Sequence, residues 1–129
     1  LGFKPVGAEL WHIYRKADIF VNASQSSEGF PRTIWEAMAN SVPVVATDVG
    51  SIRAFTAGAV EIVAPRDREA LTKGIEKMIN DGKSRREMIR KGLALAKCNT
   101  LSARAFELVS VIEKHLSSGS ANSAQEQGT

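Results

Sequence analysis

Apolar residues along this 129-residue chain fall into two alternating kinds of run. The first kind repeats at helical spacing. Leu10, Ile13, Tyr14 and Ala17 lie three or four residues apart, so residues 8 to 17 are expected to form an amphipathic helix. The second kind is short and continuous. "DIFVN" at 18 to 22, "PVVAT" at 43 to 47 and "VEIVA" at 60 to 64 are rich in β-branched residues and read as buried strands. Between the first two, "ASQSSEGFPR" is loop by composition, because Ser, Gly and Pro all disfavour a continuing strand. A helix should open near Pro31 or Arg32, since proline is well tolerated in a first turn, and run to about Asn40. "VGS" then turns into a short helix around 52 to 57.

Past the third strand, Asp67 can cap a helix whose apolar stripe is Leu71, Ile75, Met78 and Ile79. Two further helices are expected at roughly 84 to 97 and 101 to 116. The last carries Leu101, Ala105, Leu108, Val109, Ile112 and Leu116 on one face. Residues 117 to 129 contain no large apolar side chain, which predicts a disordered tail after a domain spanning 1 to 116. Strands alternating with helices indicate an α/β fold, a Rossmann-like parallel sheet flanked by helices. Three strands are few for such a sheet. The opening "LGFKP" also reads as the end of an interrupted element, so the chain is expected to be a piece of a longer protein with further strands upstream.

Composition narrows the partners. A net charge of +3 favours anionic partners only weakly, and 6% aromatic residues are too few to suggest stacking on nucleic acid, so none is expected. Cys98, the single cysteine, excludes an internal disulfide and, with no nearby His, reads as a half-buried structural thiol. No apolar run approaches the ~18 residues of a membrane span, and nothing at the start reads as a signal peptide, so a cytoplasmic location is the expectation. Residues 83 to 97 hold six basic side chains and one acidic one, a solvated helix face or a contact for the inner face of an anionic membrane.

The candidate chemistry lies in "EGFPRTIWE", where Glu28 and Glu36 stand seven residues apart across the mouth of a helix. In open parallel sheets, ligands sit outside the carboxyl ends of strands, against helix N-termini. Such a terminus presents unpaired N–H groups and the positive end of its dipole to a phosphate. Gly29 lets the backbone approach a ligand, and Pro31 presets the entry into the helix. Carboxylates repel phosphate, so the two acids should face neutral hydroxyls. A ligand with phosphates in the middle and hydroxyl-rich rings at both ends meets both demands, and a nucleotide-sugar has that form.

"EGFPRTIWEAMANSVPVVATDVGSI" resembles the Glu-x7-Glu region of the retaining glycosyltransferases of family 4, which have the GT-B fold. "LGFKP", "LWHIYRKADIFVNAS" and "PRDREALTKGIEKMI" resemble the same family in the same order, so the likeness covers about residues 1 to 116. It implies the later part of a C-terminal, donor-binding domain. By that resemblance, Glu28 takes hydroxyls of the donor sugar and is the catalytic candidate. Glu36 takes the ribose diol, and backbone of Gly29, Phe30, Pro31, Arg32, Thr33 and Ile34 reaches the sugar and diphosphate. It further implies hexosyl transfer from a nucleotide diphosphate sugar to a sugar, glycan or lipid-linked acceptor, without a metal or other cofactor. The acceptor site and the basic residues that pair with the diphosphate would lie upstream, the former in an N-terminal domain, so this piece is expected to be inactive alone. Members often have Gly at the positions of Ser41 and Ser51, and Pro-Glu at those of Arg53 and Ala54. These departures bear on donor class rather than on fold.

Other candidates are ordinary. His12 reads as a surface or packing residue and His115 as a cation suited to a helix end. Ser24, Ser26 and Ser27 lack the Gly-x-Ser-x-Gly elbow of a nucleophile, and Trp35 is expected to pack beneath the site helix. Rival readings are an epimerase or sugar phosphorylase of the same fold, or a non-catalytic nucleotide-sugar-binding domain.

Overall fold

The structure, a computed structural model, describes residues 7–26, 29 and 31–123, with side chains described as far as Leu116. The opening "LGFKP", Glu28, Phe30 and residues 124–129 lie outside the described residues. Two compact units divide after Lys97, where the sequence reading took residues 1 to 116 as one domain.

In the first unit, α1 (Ala8–Lys16) leads to β1 (Phe20–Asn22), α2 (Arg32–Ala39), β2 (Val44–Thr47) and α3 (Ile52–Thr56). β3 (Glu61–Val63), α4 (Arg68–Asn80) and α5 (Gly82–Cys98) complete it. The predicted strands are all present; β1 and β2 start later and end where expected, and β3 is one residue shorter at each end. They form one sheet in the order β1-β2-β3. Both pairings are parallel, with Phe20 opposite Val44 and Val45 opposite Glu61.

β2 is the middle strand and is buried along its whole length. Because side chains alternate across a strand, its residues feed two cores. Val44 and Ala46 join Tyr14, Ile34, Ala37, Met38 and Ile52 on one side. Val45 joins Val63 and Met78 on the other, with Leu71 and Ile75 packed against them. Each face of the sheet is thus covered by helices, as uninterrupted apolar runs demand.

Two glycines set how closely helices approach. A Cβ on Gly74 of α4 would stand 3.0 Å from Val63 Cγ1 and 3.1 Å from Val45 Cγ1. A Cβ on Gly92 of α5 would stand 3.0 Å from Met38 Cγ, so α5 backs closely onto a buried residue of α2. Ile79, predicted to belong to the α4 stripe, is 57% exposed. It lies in the last turn of α4, and the small Gly74 occupies the sheet-facing position instead. α4 begins as expected, with Asp67 Oδ1 accepting the Ala70 N–H at 2.9 Å.

The second unit holds α6 (Leu101–Ser123), opened by the Thr100 hydroxyl, which accepts the Ala103 N–H at 3.2 Å. The helix continues past the predicted end at 116, so residues 117–123 are helical rather than a disordered tail. Adding residues to a formed helix costs far less than starting one, so the helix runs on through Gly119 and Asn122 despite their poor intrinsic propensity. Leu101, Leu108, Ile112 and Leu116 of its apolar stripe are exposed.

α2 ends in a Schellman motif. Val42 N–H donates to Ala37 O and Ser41 N–H to Met38 O, at 3.0 and 3.1 Å. That turn puts Ser41 in the left-handed region, at φ 61°, which explains why glycine suits this position: a Cβ there is crowded by the backbone. Ser51, by contrast, has φ −100° and gains nothing from glycine. Ser41→Gly should therefore stabilise the fold by about 0.5–1 kcal/mol, read as a higher denaturation midpoint at unchanged slope, while Ser51→Gly should not.

Candidate functional site

Parallel pairing places the carboxyl ends of β1 and β2 at one edge of the sheet, and the 23–31 loop leaves from that edge. Two side chains at the strand ends shape its departure. Asn22, buried at the end of β1, accepts the Ser24 N–H on Oδ1 at 3.0 Å. Thr47, buried at the end of β2, donates its hydroxyl to the carbonyl of Ser24 at 2.6 Å. The loop's first residues are therefore tied to both strands. A cavity of about 230 Å³ opens at this edge among Ala23, Gln25, Thr47, Arg66 and Arg68. A larger one, about 690 Å³, lies where β1 begins and α4 ends, beside Asp18, Ile19, Ile79 and Arg85. That is the wrong edge for ligands of a parallel sheet. Arg85 has a structural task there, donating from Nη1 to the carbonyls of Met78 and Ile79 at the end of α4.

α2 starts from Pro31, which is buried and occupies the N-cap position rather than the first helical one. Proline offers no side-chain oxygen, and no side chain caps this helix among the described residues. The Ile34 N–H closes the first turn on Pro31 O at 3.0 Å, and the Ile34 side chain is fully buried. The helix mouth therefore consists of the backbone at Arg32 and Thr33, both exposed. Gly29 stands before it. A Cβ there would meet nothing within 4 Å, so neither crowding nor strain inside the chain calls for glycine.

Glu36 lies one turn into α2, and its carboxylate is oriented from two sides. Oε2 accepts the Tyr14 hydroxyl of α1 at 3.0 Å. Oε1 faces Arg32 Nη2 at 3.8 Å, a loose pair with the arginine 74% exposed and the glutamate 16%. Tyr14 itself is wedged in the core between Trp11 and Phe20, with ring centroids 6.2 and 5.9 Å away. Burial, then the hydrogen bond and negative charge of Glu36, push its phenol up from near 10 to about 12. Tyr14 therefore stays a donor across the whole physiological range.

The remaining sequence candidates take these places. Trp35 packs partly buried against the core of α2, as expected. His12 is exposed on α1, and His115 is exposed with Nδ1 3.0 Å from the Val111 carbonyl. Cys98 is exposed, not half-buried, because it ends α5 beyond the last turn that packs on the core. Among the described residues, no group of three or more His, Cys, Asp or Glu gathers to hold a metal. In none of the described residues is a helix long and apolar enough to cross a membrane. The contacts of Tyr14 with Glu36, and of Asn22 and Thr47 with the loop start, were not anticipated. Their signal was a polar atom closing an apolar run: a hydroxyl on the α1 stripe, an amide ending β1 and a hydroxyl ending β2.

The family model for glycosyl transferases group 1 matches residues 1–94. The chain belongs to that family. It is similar to a lipopolysaccharide core biosynthesis mannosyltransferase of Rhizobium meliloti, with 40% identity over 93 residues, 69% of this chain and 24% of that protein. It is also similar to O-antigen chain mannosyltransferase B of Escherichia coli, with 33% identity over 115 residues, 84% of this chain and 30% of that protein. The chain thus spans under a third of the length of these curated relatives. Among solved structures, the C-terminal domain of a glycosyl transferase group 1 family protein from Francisella tularensis matches with a TM-score of 0.66 and 28% identity. That match covers 77% of this chain and 51% of that one. The parallel sheet flanked by helices is the fold of GT-B glycosyltransferases.

Tyr14 is the only tyrosine in the chain, so tyrosinate absorbance reads it alone. Its midpoint should lie near pH 12 in the folded chain and near 10 in denaturant. Glu36→Gln should lower the folded value. The raised phenol also dictates a sign: its contribution is complete below pH 10 and is lost as pH rises from 10 through about 12, because the unfolded chain releases the proton first. Tyr14→Phe should remove that part of the alkaline loss of stability.

Proposed function

We propose that this chain is the donor-binding part of a retaining, family 4 glycosyltransferase that moves a hexosyl unit from a nucleotide diphosphate sugar to an acceptor hydroxyl. One observation carries the reading. At the carboxyl edge of a parallel sheet, a helix mouth with no side-chain cap among the described residues stands beside a carboxylate held in one orientation by Tyr14. The mouth suits a diphosphate, since its amides and dipole favour negative charge. The carboxylate suits a diol, which offers two O–H donors to an acceptor that takes bonds on both oxygens.

In this reading Glu36 holds the ribose of the donor and Glu28 the sugar, with backbone between them reaching the diphosphate. As the glycosidic bond breaks, charge develops on the leaving diphosphate, and fixed donors stabilise it there. Gly29, Arg32 and Thr33 supply these amides from this chain. The Ile34 amide, engaged with Pro31 O, contributes through the helix dipole rather than by direct contact. The two mannosyltransferase relatives favour mannose as the hexosyl unit and a glycan or lipid-linked glycan as acceptor. An upstream domain of the same protein would supply the acceptor site. Transfer is proposed to proceed without a metal ion, in the cytoplasm or at the inner membrane face, where exposed Lys83, Arg86 and Lys97 of α5 offer positive charge.

Calorimetry with nucleoside diphosphates and turnover of nucleotide diphosphate mannose in the complete enzyme test this division. Glu36→Ala should weaken nucleoside diphosphate binding by about ten- to a hundredfold, the loss of a charged acceptor. Glu28→Ala should leave that affinity nearly intact while sugar transfer collapses. Equal effects of the two substitutions on nucleoside diphosphate binding would sink the assignment. The 129-residue chain alone should transfer no sugar, because donor and acceptor must be held about 3–3.5 Å apart and only one wall of that cleft is provided. Activity of the complete enzyme should survive a chelator.

A further inference from the structure

We propose that Tyr14 is a positioning residue for donor binding, fixing the Glu36 carboxylate so that it meets the ribose diol without reorganising. The inference rests on the assignment of Glu36 to the diol. A glutamate on a helix surface samples several rotamers, and immobilising such a side chain on binding reduces affinity. Here that ordering is completed on folding. Tyr14 Oη donates to Oε2 at 3.0 Å, which sets the carboxylate plane while each oxygen keeps a further acceptor site. Among the described residues, Oε1 has only the loose approach of Arg32 at 3.8 Å.

The donor is as rigid as its acceptor needs. Tyr14 is 6% exposed, and its ring is held by Trp11 on its own helix and Phe20 on β1. The backbone beneath Glu36 is also fixed, since its carbonyl accepts the Asn40 side-chain amide at 2.9 Å and the Asn40 N–H at 3.1 Å. The carboxylate is thus held at both ends, by core packing through Tyr14 and by the closing turn of α2. A hydrogen bond serving only to join α1 to α2 would not need the acceptor to remain partly open, yet Glu36 keeps 16% of its side chain exposed.

Tyr14→Phe removes the hydroxyl and keeps the ring, so the core contacts survive. In the complete enzyme, binding of uridine, guanosine and adenosine diphosphates is measured first, and the tightest is carried forward with its 2′,3′-dideoxy analogue. Tyr14→Phe should weaken the ribonucleotide by about three- to tenfold. It should leave the dideoxy analogue unchanged and add nothing in a Glu36→Ala background. Equal weakening of both nucleotides would mark Tyr14 as merely structural and overturn the inference. So would unchanged ribonucleotide binding by Tyr14→Phe beside a weakened Glu36→Ala. If Glu36→Ala itself binds as the wild type does, the diol assignment fails, and the role of Tyr14 fails with it.

Discussion

Val44, Val45 and Ala46 are completely buried, and the fold of the first unit follows from the need to cover both faces of that strand. A strand buried on two sides needs hydrogen-bonded neighbours along both edges and helices above and below. β1 and β3 supply the edges in parallel, which forces each connection to cross back through a helix. The crossover from β1 to β2 is α2, and its start is thereby fixed at the carboxyl edge of the sheet. The candidate site is a consequence of that crossover. No separate element is built to make it.

The same core orients the chemistry. Ile34, Ala37 and Met38 bury one side of α2, so Glu36 is turned toward α1, where Tyr14 waits. Gly92 has no Cβ and so lets α5 pack closely behind Met38. A carboxylate one turn into a helix would otherwise be a mobile surface charge. The Tyr14 hydroxyl holds it in one orientation.

The edge of the sheet is arranged with comparable economy. Thr47 and Asn22 spend their polar groups on the start of the 23–31 loop, so the strand ends hold its first residues. Pro31 then begins α2 without a capping oxygen. Most helices in soluble domains begin with Ser, Thr, Asp or Asn, which would satisfy an N–H that a bound anion could otherwise use. α4 begins that way, on Asp67, and α2 does not. α1 and α3 also show no side-chain cap among the described residues.

By itself the sequence determined the order and kind of nearly every element. Short β-branched runs bounded by turn residues read as strands, and stripes at three- and four-residue spacing as helices with one apolar side. Only β2 is buried along its whole length, however, and Val21 of β1 is exposed. The sequence also marked the Glu-x7-Glu stretch, through its resemblance to a donor-binding region and its place after a strand at the start of a helix. It misjudged 117–123, where extending a helix already formed outweighs the poor propensity of Ser, Gly and Asn. Ile79 and Cys98 depended on how far α4 and α5 remain against the core, which periodicity does not specify. Only the tertiary structure decided that Tyr14, 22 residues before Glu36, donates to it. The sequence offered Tyr14 as one more apolar residue on a stripe. Its hydroxyl acquires a partner only when α1 and α2 cover the same face of the sheet, and that meeting is set by packing across the core rather than by any local pattern.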